Sequence, residues 1–282
     1  MASSALVWLR RDLRCDDHAA LYHALRRYPR VYCAFVFDTD ILDELPSRCD
    51  RRVEFIHASV LELHQGLQQL AARSGAPDGG LIVRHGPALE CIVQLAQELG
   101  VQEVLANRDY EPRAIKRDQS VTQALHALGI AFTDYKDQVL LDRDEVLTQQ
   151  GRPYSVFTPY KRAWLQRLDN FQLKPYPVDR YAHRLAPPPA DERLPTLSDL
   201  GFGPTNLREL PLPSGMSGAQ RLLRDFVPRM AAYQEARDYP GRKGVSYLSV
   251  HLRFGTVSIR QLARLAAKQA EQGCEGAQAW LS

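Results

Sequence analysis

Between residues 5 and 135 the chain sets five short apolar runs among four longer amphipathic stretches, with little punctuation between them. The runs are ALVWL (5–9), VYCAFVF (31–37), LIVRH (81–85), VQEVLAN (101–107) and IAFTDY (130–135), rich in the β-branched and aromatic residues that suit strands. Helical spacing is predicted at 17–28, 50–73, 87–99 and 112–128. In the second of these, Val53, Ile56, Val60, Leu63, Leu67 and Leu70 recur three or four apart and line one helix face. Gly100 and Gly129 stand where a helix ends on a residue of positive φ. Parallel neighbours in a sheet need a crossover of a dozen or more residues, and here the crossovers are helices. The pattern therefore predicts an α/β unit, a Rossmann-like five-stranded parallel sheet covered on both faces, with ligands favoured at the carboxyl ends of the strands.

The first run is followed by RRDLRCDDHAAL, which holds neither G-x-G-x-x-G nor G-x-x-x-x-G-K-[ST], so a conventional dinucleotide fingerprint or phosphate loop is not expected here. Asp16 or Asp17 is expected to cap the helix that begins near His18. The five cysteines, Cys15, Cys33, Cys49, Cys91 and Cys274, have no C-x-x-C pair and no histidine at ligand spacing. They are expected to be buried reduced thiols, and no metal is expected. No window reaches the eighteen or so apolar residues of a membrane span, and charge arrives at Arg10 before a leader core could form, so a cytoplasmic protein with no membrane partner is expected.

After residue 136 the periodicity fails. Prolines break a connector in which only FTPYKRAWLQRL (157–168) has helical spacing. Helical pattern returns near 217 and again after Ser258, where Ser258 and Gln261 have the spacing of a capping box. The expected organisation is 1–135 as the α/β domain, 136–215 as an interdomain connector and 216–282 as an incomplete helical domain. The final GAQAWLS opens an apolar helical face and stops, as a helix cut in its middle would. Residues 216–282 carry 10 Lys+Arg against 5 Asp+Glu. A solvated helical surface or a polyanion such as DNA would each account for that balance.

Inside this basic piece lies GRKGVSYLSVHLRFG (241–255). Gly241 and Gly244 allow close backbone approach, Ser246 and Ser249 offer hydroxyls, Arg242 and Lys243 offer positive charge, and the helix that follows begins with unpaired amides. Those are the components of an anion cradle. A Gly-rich turn ahead of an ordinary helix has the same composition, and the local residues leave both readings open.

The wider string YQEARDYPGRKGVSYLSVHLRFGTVSIRQL (233–262) resembles the start of the FAD-binding domain of the photolyase/cryptochrome family. VWLRRDLRCDDHAAL, CDRRVEFIHASVLEL and GRPYSVFTPYKRAW resemble three further family segments, in the same order. Among members the likeness is greatest to bacterial cyclobutane pyrimidine dimer photolyases. The resemblance implies a helical FAD-binding domain and places the FAD diphosphate on Tyr233 and on Val245, Ser246, Tyr247, Leu248 and Ser249. It sets Trp280 beside the flavin and Arg237 against damaged DNA. The implied reaction is light-driven splitting of cyclobutane pyrimidine dimers by an electron from reduced FAD, performed by a monomer. An antenna chromophore is implied for the α/β domain. Arg113 and Ala114 replace the Asn-Glu pair of folate-binding members, which makes a deazaflavin antenna the expectation over folate.

Two departures stand out: Val245 replaces a common threonine and Tyr247 a frequent arginine. Family chains also continue beyond AWLS, so the chain is expected to be a fragment, with no catalytic residue of its own and no repair unaided. A cryptochrome-like photoreceptor would share these motifs. A non-enzymatic nucleotide-binding module would account for residues 1–135 alone. The other histidines are expected to be isolated surface or core residues, with His251 placed near the cofactor by its position in the loop helix.

Overall fold

Strands β1 (Ser4–Leu9), β2 (Arg30–Asp38), β3 (Ile82–Gly86), β4 (Glu103–Asn107) and β5 (Ala131–Tyr135) form one parallel sheet in the order β3-β2-β1-β4-β5. They are described by a computed structural model covering residues 3–76 and 78–282. Between them run α1 (Ala19–Arg27), the single turn α2 (Thr39–Leu42), α3 (Arg51–Arg73), α4 (Ala88–Glu98) and α5 (Pro112–Ala127).

All six residues of β1 are buried, as a central parallel strand requires. Successive side chains point to opposite faces, so Ala5, Val7 and Leu9 pack with α1 and α3, while Leu6 and Trp8 pack with α4 and α5. On α3 the buried face includes Val53, Val60, Leu63 and Leu67, with Ile56 and Leu70 half-buried beside them. Gly100 and Gly129 end α4 and α5 at φ 59° and 72°.

The connector is more structured than its prolines imply. Besides α6 (Phe157–Arg167) it has 3₁₀ turns at Arg143–Glu145, Val178–Arg184 and Leu207–Glu209. Sequence spacing missed them because a 3₁₀ turn of this length shows no readable period. Val178, Ala182 and Leu185 enter the α1/α3 core, and Leu185 bridges to Val31. The helical unit comprises α7 (Gly215–Phe226), α8 (Tyr233–Ala236), α9 (Ser249–Phe254), α10 (Ile259–Glu271) and α11 (Glu275–Leu281). All five cysteines are free thiols, but only Cys33 is buried; Cys15, Cys91 and Cys274 are half-buried and Cys49 is exposed. No helix among the described residues is long and apolar enough to cross a membrane.

Candidate functional site

The helical unit sits on the carboxyl end of the sheet, and the contact is polar. Asp17, Asp137, Arg14 and Arg260 are 6%, 1%, 3% and 4% exposed. Arg260 Nε donates to Asp17 Oδ1 at 2.8 Å and its Nη2 to Asp137 Oδ1 at 2.7 Å. Arg14 holds the other Asp137 oxygen. Ser258 Oγ donates to Asp17 Oδ2 at 2.7 Å and accepts the amides of Arg260 and Gln261. Burial by itself would raise the Asp137 carboxyl, but the Arg14 and Arg260 guanidiniums outweigh it and hold that carboxyl well below the ordinary carboxylate range.

A folded-state pKa held below the unfolded value contributes stability that is present above the unfolded value of 3.8 and is lost as pH falls through the folded one. Acid titration below about pH 4 should therefore release α10 from the sheet. Amide exchange at α10 should rise there before exchange in β1 and β4 does. Unchanged protection of α10 at pH values where β1 opens would contradict this.

Three sequence expectations change here. Asp17 is not a helix cap: it takes left-handed backbone, φ 44°, and its carboxylate serves the helical unit. The cap of α1 is His18, whose Nδ1 accepts from the Leu21 amide at 3.1 Å. That leaves the ring proton on Nε2, 2.9 Å from Asp12 Oδ2, so His18 is a buried paired residue and not an isolated one. The capping box at Ser258 is half formed, because the Gln261 amide group turns to Gln220. A charged buried group finds partners across the chain, and nothing in local spacing marks which one.

At the centre of the seam, Gly255 (φ 65°) lies on the β1–α1 loop: a Cβ there would fall 2.2 Å from the Arg11 carbonyl oxygen and 2.4 Å from Asp12 Cα. Leu13 donates its amide to the Phe254 carbonyl at 3.1 Å. In this strand order β1 and β4 flank the switch point, where a doubly wound sheet binds its ligand. The chain's own α9–α10 turn packs on the β1–α1 loop beside that switch point.

The diphosphate-type loop lies on the other side of α9. Gly244 abuts the end of α8, since an added Cβ would meet the Ala236 carbonyl oxygen at 2.5 Å, whereas Gly241 faces open space and needs no glycine for packing. Arg229 donates to the carbonyl of Lys243 and, at 3.5 Å, to that of Val245. Of the intervening amides, that of Gly244 donates to the Arg242 carbonyl at 2.8 Å. Asp225 fixes Arg229 at 2.7 Å and also binds Lys243 Nζ at 2.8 Å, so Lys243 is paired within the protein. Hydrogen bonds from Lys243 and Arg229 hold the Asp225 carboxyl below its usual value. The role of Asp225 and Arg229 was missed in the sequence; their i,i+4 spacing was the available signal.

Tyr247 has left-handed backbone, φ 57°, with its side chain exposed. Its strained turn carries the chain into α9, whose Leu248 cap makes no side-chain hydrogen bond, leaving the first amides unpaired. Ser246 is half-buried and Ser249 exposed. The Leu248 side chain is 1% exposed and belongs to the core with Ala219, Leu222, Leu223, Val257 and Leu262, so only its backbone faces the loop.

Phe226, fully buried, brings the aromatic candidates together: Tyr233 meets it edge-on at 5.9 Å and Trp280 at 4.9 Å. Arg237 lies 5.7 Å over the Tyr233 ring with its side chain exposed. Trp280 also touches the Leu248 cluster, so the loop and the aromatic group share one support. His251 is not with them. It is buried against Phe55 of α3 at 5.3 Å and hydrogen-bonds Thr256 at 2.7 Å, and burial pushes its imidazole down to about 4. It is a neutral seam residue. A cleft of about 860 Å³ lies between α3, residues 175–179 and α10, away from the loop, and holds none of the residues assigned to it.

A doubly wound α/β unit with a helical unit seated on the carboxyl end of its sheet defines an α/β protein with a helical extension. Residues 5–181 match the DNA photolyase family, and the chain belongs to that family. It is 33% identical over 277 residues to a deoxyribodipyrimidine photo-lyase of Synechococcus sp., covering 95% of this chain and 54% of that one. An uncharacterized 31.6 kDa protein of another Synechococcus strain is 36% identical over 256 residues, covering 90% of this chain and 86% of that one. Among solved structures, a bacterial class III photolyase from Agrobacterium tumefaciens superposes with TM-score 0.80 at 25% identity, covering 96% of this chain and 54% of that one. The chain thus spans about half the length of the photolyases it matches.

Proposed function

We propose that this chain forms the α/β unit and the diphosphate-holding part of a flavoprotein that repairs cyclobutane pyrimidine dimers in DNA with light. The observation that carries the reading is the loop 244–249: carbonyls engaged by Arg229, an uncapped helix start, two hydroxyls, and Tyr233 and Trp280 on one aromatic support. Those donors fit an FAD diphosphate. When bound, reduced FAD excited by light supplies the electron that opens the dimer and receives it back.

The amides of Val245, Ser246, Tyr247, Leu248 and Ser249, with the two serine hydroxyls, would hold the diphosphate. Each such helix-end contact is modest, about 0.3–1 kcal/mol, so affinity comes from several donors acting together. Tyr233 would join the diphosphate contacts, Trp280 would border the flavin, and exposed Arg237 would meet the DNA backbone. The antenna is assigned to the α/β unit, a deazaflavin in preference to folate. Arg113, at one position of the folate pair, is an exposed cation bound to Glu44.

Fluorescence titration with FAD, ADP and riboflavin tests the loop. FAD and ADP should compete, and Ser246→Glu should weaken both at least tenfold by setting a carboxylate against the diphosphate, while riboflavin binding stays unaffected by that change. Equal FAD affinity in Ser246→Glu and the parent would refute the assignment. Light-dependent dimer splitting, measured on a chain extended to the length of its relatives, tests the reaction itself.

A further inference from the structure

The amino end of the sheet, opposite the helical unit, carries an arginine and tyrosine surface with no part in the site above. α1 ends on Arg26 and Arg27, β2 begins at Arg30, and the 3₁₀ turn Val178–Arg184 adds Arg180 and Arg184. Direct bonds join these segments: Arg184 donates to the carbonyls of Leu25 and Arg26 at 2.9 and 3.0 Å, and Ala186 donates to that of Val31 at 2.8 Å. Residues 19–30 and 178–184 together contain five arginines and a single carboxylate, Asp179. Of the five, Arg27 alone has an ion-pair partner among the described residues, Glu103 at 2.7 Å. Arg26, Arg30 and Arg180 are exposed.

Four of the guanidiniums are parked on tyrosine faces. Arg27 lies over Tyr28 at 5.5 Å, Arg30 over Tyr32 at 5.1 Å, and Arg180 and Arg184 over Tyr181 at 5.7 and 5.8 Å. Arg27 and Arg184 spend donors on Glu103, Tyr135 and the α1 carbonyls, whereas exposed Arg30 and Arg180 keep edge N–H donors in the planar fork that matches a phosphodiester. Stacking also restricts rotamers before any ligand arrives, lowering the entropy lost on binding. Because Tyr32 is buried and Tyr28 and Tyr181 are half-buried, the surface offers donors to a phosphate backbone and no exposed tyrosine among these on which bases could stack.

We propose that this surface is a second contact for the phosphate backbone of duplex DNA, remote from Arg237 and indifferent to lesions. It would hold undamaged DNA weakly, and strongly salt-dependently, at the end of the molecule away from the flavin loop.

The test is fluorescence anisotropy with a short undamaged duplex in the dark, between about 50 and 200 mM salt, where each phosphate contact adds about 0.9 to the slope of log K against log salt. Neither light nor flavin enters the readout, so its failure is separable from failure of the repair assignment. The combined variant Arg26→Glu, Arg30→Glu and Arg180→Glu should lose at least about tenfold in affinity at the lowest salt and about two to three in slope. Reversals at Arg167, Arg193 and Arg208, exposed elsewhere, should change both much less. Should the glutamate variant melt early, the matching glutamine variant should show the same loss at about half the size. Three results would overturn the proposal: an unchanged slope in the variant, an equal loss in the control, or lost binding to phosphatidylserine vesicles with duplex binding intact.

Discussion

Arg260→Met should free α10 from the sheet and reduce its protection in native-state amide exchange by about 3–5 kcal/mol, the scale for stripping one partner from a buried ion cluster. Arg260 joins Asp17 and Asp137, and of the remaining buried cations only Arg14 reaches Asp137. Without Arg260 the Asp17 carboxylate keeps the Ser258 hydroxyl, the Tyr176 amide at 2.9 Å and the more distant Arg264 at 3.5 Å, too little for a charge that is 6% exposed. The methionine preserves most of the side-chain volume, so the effect isolates charge from packing. β1, β2 and β4, buried by their own helices, should keep their protection. A loss at α10 below about 1 kcal/mol would mean that the cluster is not what seats the helical unit.

Gly255→Val should separate the two units by a different route. The substitution places a β-branched residue at φ 65° and a Cβ within 2.2 Å of the Arg11 carbonyl, which belongs to a backbone unable to yield. Left-handed strain and overpacking each cost about 1–3 kcal/mol, so a loss of about 3 kcal/mol or more is expected at the seam. Trypsin should then cut within residues 136–215 far faster than in the parent. Gly273→Ala supplies the comparison. Gly273 also has positive φ, 87°, but an added Cβ there meets nothing within 4 Å, so only the conformational cost of about 1 kcal/mol should appear. Equal effects at the two glycines would show that the seam contact is unimportant. A large effect at Gly255 alone ties the candidate loop's position to the α/β unit, because α9 connects the loop directly to Gly255.

The sheet was legible because each of its strands and helices announces itself locally. Val53 through Leu70 repeat at helical spacing, and the five apolar runs have the length and composition of buried strands. Much of the candidate loop was legible for the same reason: glycines, hydroxyls and the start of a helix lie within a few residues of one another. The turn at Val178–Arg184 was not legible, since it is too short to display a period and owes its place to the α1/α3 core it covers. The pairing of Lys243 was not legible because its partner, Asp225, lies eighteen positions earlier. His251 was misjudged because its helix turns that side chain toward Phe55.

By itself, then, the amino-acid order determined the alternating strands and helices, the family to which the chain belongs, and the residues that could form an anion cradle. The family is carried by the resemblance of whole motifs; the elements and the cradle depend on periodicity and on neighbours a few residues apart, where propensity and backbone geometry operate. Tertiary structure alone decided that Asp17 and Asp137 serve Arg260, that Gly255 packs on the β1–α1 loop, and that Phe226 gathers Tyr233 and Trp280. A buried charge must be matched, and a glycine's bare face filled, by whatever the folded chain brings near. Partners as much as 243 positions apart leave no local trace of that choice.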